Sequence, residues 1–207
     1  MRYEQILATV VIALLAGTVG AYLILMGQKP GAAPPDKPQT AIERVLKTGK
    51  LQCGYIESTP HFAKDQNTGA FSGLWYELTE QIATEAGVQI VWVPAPANLA
   101  EAVAALKAGK YDALCSGMNA SSNSAKEMLF SAPLYYGDYA YARKDTTQQI
   151  RLSGQVYALS PDNAALRDFL SAGVQNIQLS GFTENALAKY ASQGLGEHYR
   201  AQSGYVK

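Results

Sequence analysis

The chain has 207 residues, enough for one domain or at most two small ones. Apolar residues make up 48% and charged residues 16%, so a globular core is expected. Lys plus Arg number 17, Asp plus Glu number 17, and the net charge is zero; with no basic stripe, the composition argues against nucleic acid as a partner.

The first segment, Ile6 to Met26, carries no charge. At about 1.5 Å per residue it would span about 32 Å as a helix, matching a hydrocarbon core of about 30 Å. A signal peptide is the competing reading, with Val19-Gly20-Ala21 as a cleavage site. The apolar region of such a peptide usually runs only about 7–15 residues. Here Tyr-Leu-Ile-Leu-Met continues the run beyond that point. The expectation is therefore an uncleaved single-pass anchor over 6–26, after a short tail at 1–5. Arg2 and Glu4 before it and Lys29 and Lys37 after it leave orientation weakly determined. Residues 27–39 contain four prolines among small residues and read as a semi-extended spacer.

Thr40 and Glu43 have capping-box spacing, which predicts a helix from Ala41 to near Gly49. Leu51–Ile56 reads as a strand and Asn67–Gly69 as a turn. Leu74, Leu78, Ile82 and Ala86 recur every fourth residue before Gly87, predicting an amphipathic helix. Val88–Val93 is a β-branched run and reads as a buried strand. Asn98 with Glu101 starts another helix, expected to bury Leu99, Val103 and Leu106 and to stop at Gly109. Tyr111–Cys115 is a third strand. The order strand, helix, strand, helix, strand implies right-handed crossovers and a parallel sheet. Ligands in such sheets bind at the carboxyl ends of the strands, here Glu57–Phe62 and Ser116–Ser121. Tyr135–Arg143 and Gln155–Leu159 read as two further strands joined by a hairpin at about 144–154. A helix after Ser160-Pro161-Asp162 buries Leu166, Phe169 and Leu170, and a last helix from near Thr183 buries Leu187 and Tyr190. The tail from 194 to 207 is polar.

Cys53 and Cys115 form no CxxC pair. Their first reading is two small buried hydrophobes; a disulfide is the alternative, open to an extracytoplasmic domain. His61 and His198 stand alone, so no metal site is expected, and nothing implies a cofactor. Glu57, Glu77 and Asp112 read as helix-start or surface carboxylates. No nucleophile elbow, P-loop or dinucleotide fingerprint is present, so the reading is not an enzyme.

Four stretches in order, Ile42–Gly54, Gly73–Ala86, Leu106–Met118 and Phe130–Tyr136, resemble the family-3 solute-binding proteins. These are the periplasmic amino-acid-binding subunits of ABC transporters. The most specific part is the helix start at Gly73, Glu77 and Leu78. The family fold has two lobes joined by two crossing strands. By that resemblance Tyr139–Arg143 and Val156–Leu159 are the crossing strands, with a hairpin in place of the second lobe. The fold expected is α/β: a single type II periplasmic-binding-protein-like lobe over 40–193, in three layers, with a mixed, mostly parallel five-stranded sheet, preceded by one transmembrane helix.

The resemblance also places the ligand face. The family presents an aromatic residue just before a Pro-Pro-Phe-like run. Here the run is Pro60-His61-Phe62 and the preceding position is Thr59, so the apolar platform is missing unless Phe62 or Trp75 supplies one. Gly117-Met118-Asn119 matches the family's hydrogen-bonding Gly-Met-Thr, and Ser121 follows in the same loop. The family's carboxylate-binding Arg falls on Ser124, which supplies neither charge nor fork. Lys126 either compensates from the next turn or is a solvated surface charge; the surface reading is preferred. Tyr135, Tyr136, Tyr139 and Tyr141 are either core or an exposed interaction face. The expected function is a membrane-tethered, non-catalytic accessory module on the periplasmic side of the bacterial inner membrane. It would contact a protein partner or a second copy through the former inter-lobe face. The alternative is a receptor for a polar solute, in transport or sensing.

Overall fold

In the computed structural model, residues 39–139 and 151–195 are described. The expected anchor at 6–26, nearly all of the spacer, Tyr141 and the tail beyond Leu195 lie outside them. Among the described residues no helix is long and apolar enough to cross a membrane.

The elements follow in order: α1 (Ala41–Thr48), β1 (Lys50–Tyr55), β2 (Ala63–Lys64), β3 (Phe71–Ser72), α2 (Leu74–Ala86), β4 (Gln89–Pro94), α3 (Leu99–Lys107) and β5 (Ala113–Asn119). Then come a 3-10 turn (Ser124–Lys126), β6 (Leu129–Phe130), β7 (Tyr135–Tyr139), β8 (Arg151–Leu159), α4 (Ala164–Leu179), α5 (Phe182–Tyr190) and a π-turn (Ala191–Leu195). Helix α1 starts as the sequence predicts. Thr40 Oγ1 accepts from Glu43 N at 3.3 Å, and Glu43 Oε2 accepts from Thr40 N at 2.9 Å. Asn98 Oδ1 likewise accepts from Ala100 N and Glu101 N at the start of α3.

The main sheet has six strands in the order β4-β1-β5-β8-β6, with β7 also paired to β8. This corrects the expected mostly parallel, five-stranded sheet. Two pairings, β1–β4 and β1–β5, are parallel, and three, all made by β8, are antiparallel. Two residues are too short a run for any period to mark β6. Strand β4 is an edge rather than a buried strand: only Ile90 is enclosed and Val91 is 37% exposed. A β-branched run fits either setting, because an edge strand still buries one face.

Side-chain alternation divides the core into two. Leu51, Cys53 and Tyr55 of β1, Ala113 and Cys115 of β5, and Tyr157 and Leu159 of β8 face one cluster with α1, α2, α4 and α5. Leu114, Met118, Val156 and Ala158 face the other, under α3. The result is three layers. Within α3 the inward residues are Ala102, Ala105 and Leu106, and Leu99 is 51% exposed. Leu99 is the first residue of its helix. On α2 the buried stripe is Leu74, Trp75, Leu78, Thr79, Ile82 and Ala83, while Ala86 is exposed.

Strands β7 and β8 pair antiparallel. Tyr135 pairs with Gln155 and Tyr139 with Arg151. Strand β8 begins at Arg151, earlier than expected, and most of the expected hairpin segment, 144–150, lies outside the described residues.

Cys53 and Cys115 are joined by a disulfide with their Cα atoms 5.4 Å apart. This corrects the reading of two free buried thiols. They lie on neighbouring strands and face the same side of the sheet, which puts them within bridging range.

Candidate functional site

The carboxyl end of β1 leads into a closed turn. Ser58 N donates to Phe62 O at 2.8 Å, and Phe62 N donates back to Ser58 O at 2.8 Å. Thr59 sits exposed at its apex, and Phe62 points the other way. The Phe62 ring is fully enclosed, with Tyr55 at 4.7 Å, Trp92 at 4.8 Å and Phe71 at 5.6 Å between centroids. Trp75 is enclosed too, against Tyr135 at 5.5 Å and Tyr157 at 6.1 Å. Neither ring offers a flat face to solvent.

The turn also occupies the amino terminus of α2. Leu74 N donates to Pro60 O at 3.2 Å, and Trp75 N to His61 O at 2.8 Å. Two donors that a helix start leaves free are thus already satisfied. Gly73 is required there, since a Cβ would meet His61 O at 2.5 Å. Burial holds the His61 imidazole below its usual range, favouring the neutral ring.

The second wall is the end of β5. Gly117 has φ +71° and lies on the Trp75 ring. Asn119 Oδ1 accepts from Gln155 Nε2 on β8. The sequence reading missed Gln155. The signal was the cross-strand register Asn119↔Gln155, which becomes readable only once β8 is known to run beside β5.

Ser121 and Ser124 close on each other. Their Oγ atoms lie 2.7 Å apart, Ser124 N donates to Ser121 Oγ at 3.1 Å, and Ser121 N donates to Ser124 Oγ at 3.2 Å. Lys126 is exposed at the end of the following turn. Its neighbour Glu127 instead holds Lys107, at 2.8 Å, and that ammonium keeps the Glu127 carboxyl below its usual range.

The tyrosines separate. Tyr135 is buried in the core, which removes it from any interaction face. Tyr136 is half-buried, near Gly154. Tyr139 ends β7 opposite Arg151.

Of the three carboxylates singled out by sequence, Glu57 is exposed past the end of β1, and the other two hold the fold together. Asp112 pairs with Arg44 and accepts from Gln52 N at 2.8 Å. Glu77, in the Gly73–Leu78 motif, accepts from Tyr190 Oη at 2.7 Å and pairs with Lys189. Burial first, then the Glu77 carboxylate, pushes the Tyr190 phenol up to about 12. Tyr190 Oη also accepts from Gly73 N at 3.2 Å. The motif therefore fastens α5 to the start of α2. Replacing Glu77 by Ala removes a charge-assisted bond and is expected to cost about 1.5–3 kcal/mol, seen as a lower denaturant midpoint at unchanged slope.

Comparison with known proteins places this geometry. The chain is 27% identical over 145 residues to a protein described as membrane-bound lytic murein transglycosylase F of Vibrio parahaemolyticus, covering 69% of this chain and 27% of that one. It is 33% identical over 72 residues to a probable histidine-binding protein of Campylobacter jejuni, covering 35% of this chain and 27% of that one. The chain thus spans about a quarter of the length of either relative. Among solved structures, the arginine-bound form of domain 1 from TmArgBP superposes with a TM-score of 0.51 at 22% identity, covering 64% of this chain and 97% of that domain. The profile of the family described as bacterial extracellular solute-binding proteins, family 3, matches residues 51–193. The match takes in both walls of the site and the helices behind them, and the chain belongs to that family.

Proposed function

We propose that this chain is a membrane-tethered, extracytoplasmic solute-binding-protein-like module that works by contact with another protein or a second copy, and that it is not a catalyst. One observation carries the reading. The position where the family's guanidinium would meet a ligand carboxylate is Ser124, and its hydroxyl and amide are already closed on Ser121. A neutral hydroxyl cannot replace a forked, charge-assisted bond. On this reading the face belongs to a single lobe and keeps one side wet, which weakens each polar contact.

The tether rests on the uncharged run Ile6–Met26 and on likeness to a protein described as membrane-bound. The extracytoplasmic side rests on the family and on the disulfide, which persists in oxidising compartments. The non-catalytic reading is supported by Glu77 and Asp112 being tied up in fold-holding contacts.

A second reading, a receptor for a polar solute, has one observation behind it: an isolated first domain of similar fold exists in an arginine-bound form. Calorimetric titration of the full chain in nanodiscs with amino acids and polar metabolites separates the two. No saturable heat is expected for any member of the panel. Micromolar binding of one member would select the receptor.

A further inference from the structure

Strand β5 is poorly held where it matters. Its ladder with β1 contains two paired positions, Cys53↔Ala113 and Gly54↔Leu114, against six between β1 and β4. On its other side, the ladder with β8 breaks between Leu114 and Met118. Cys115, Ser116 and Gly117 therefore stand in no paired register on either side. The buried Ser116 Oγ has no hydrogen-bond partner among the described residues. Gly117 then turns through φ +71°, which re-aims the strand before Met118 and Asn119 rejoin β8.

An unpaired stretch of buried strand needs side-chain anchors, and two are present. One is the Trp75 ring beneath Gly117. The other is the disulfide, which ties Cys115, the first unpaired residue, to Cys53. Cys53 is paired on both sides, to Trp92 and to Ala113. Covalent attachment thus runs from a residue paired on both sides to the start of the irregular stretch. Both cysteines are fully buried.

We propose that the Cys53–Cys115 disulfide is a local positioning device. It holds the Cys115–Asn119 stretch, and through it the Gly117–Asn119 face, in a shape that backbone pairing alone does not fix. The face is then set only in an oxidising compartment, which makes its shape redox-sensitive. The inference concerns the strand and stands whether a protein or a solute meets the face.

Hydrogen exchange on the full chain in nanodiscs tests it, with the protein oxidised and after reduction by a phosphine. The phosphine supplies two electrons and ends as its oxide, and water supplies the two thiol protons. On reduction the amides of residues 115–119 are expected to exchange at least about tenfold faster, as a local opening. Amides of Leu78–Ile82 and Leu166–Leu170 should keep their rates, and far-ultraviolet circular dichroism should not change. The double variant Cys53→Ala, Cys115→Ala should repeat the pattern without reductant. If all core amides accelerate together, or the dichroism is lost, the bridge is a global staple and the proposal fails. It fails equally if residues 115–119 keep their rates, or if intact mass finds two free thiols in the purified protein.

Discussion

Phe62→Ala is expected to lower the stability of the domain by about 3–5 kcal/mol, the range for removing a buried aromatic ring. The sequence alone leaves Phe62 as a possible platform for a ligand. In that role the ring would be exposed in the free protein, and its loss would change stability by less than about 0.5 kcal/mol. The structure puts it at 0% exposure, at the centre of a cluster with Tyr55, Phe71, Tyr76 and Trp92. Its stack on Tyr55 adds about 0.5–1.5 kcal/mol beyond area. Trp92 is itself pinned, with Nε1 donating to Glu80 Oε1 at 2.8 Å, so the cluster cannot collapse freely into the void. Thermal unfolding should move down by on the order of 10 °C. A variant that melts with the wild type would return Phe62 to the surface and reopen the platform.

Much of the fold could be read before the structure was known. Thr40/Glu43 and Asn98 marked helix starts because capping is a local chemistry carried by adjacent residues. Strands β1, β4 and β5 and their parallel pairing followed from periodicity and element order, while the short β2 and β3 were not read. What could not be read was long-range. Whether Val88–Val93 is central or edge depends on what lies beside it, and the residues themselves do not say. The two-residue β6 has no period at all. Of the three antiparallel pairings made by β8, the one with β7 was expected from the sequence, while those with β5 and β6 join distant segments and were hidden.

The site was legible as a list of positions and illegible as an arrangement. Ser124 could be placed by counting, yet its closure on Ser121 needed coordinates. Asn119 was visible, while its partner Gln155 lies 36 residues on. The bridge between Cys53 and Cys115 spans a sequence separation of 62. Pairing over such distances depends on register, and register is fixed by packing.

Gly117 makes the last of these points measurable. Gly117→Ala is expected to cost about 2–5 kcal/mol, from two separable sources. A non-glycine residue at φ +71° costs about 1–2 kcal/mol. The new Cβ would also stand 2.2 Å from Trp75 Cζ2 and 2.5 Å from Cε2, so something must move. Trp75 cannot recoil, because Tyr135 and Tyr157 lie against it. Overpacking of this kind costs about 1–3 kcal/mol. Gly109 supplies the control: it has nearly the same backbone, φ +70°, with nothing within 4 Å of the added Cβ. Gly109→Ala should show the backbone cost alone. The difference between the two midpoints, multiplied by the common denaturant slope, then measures how rigidly the indole supports the site-facing strand. Equal midpoints would mean that Trp75 yields, and that β5 owes its turn to glycine freedom rather than to the ring beneath it.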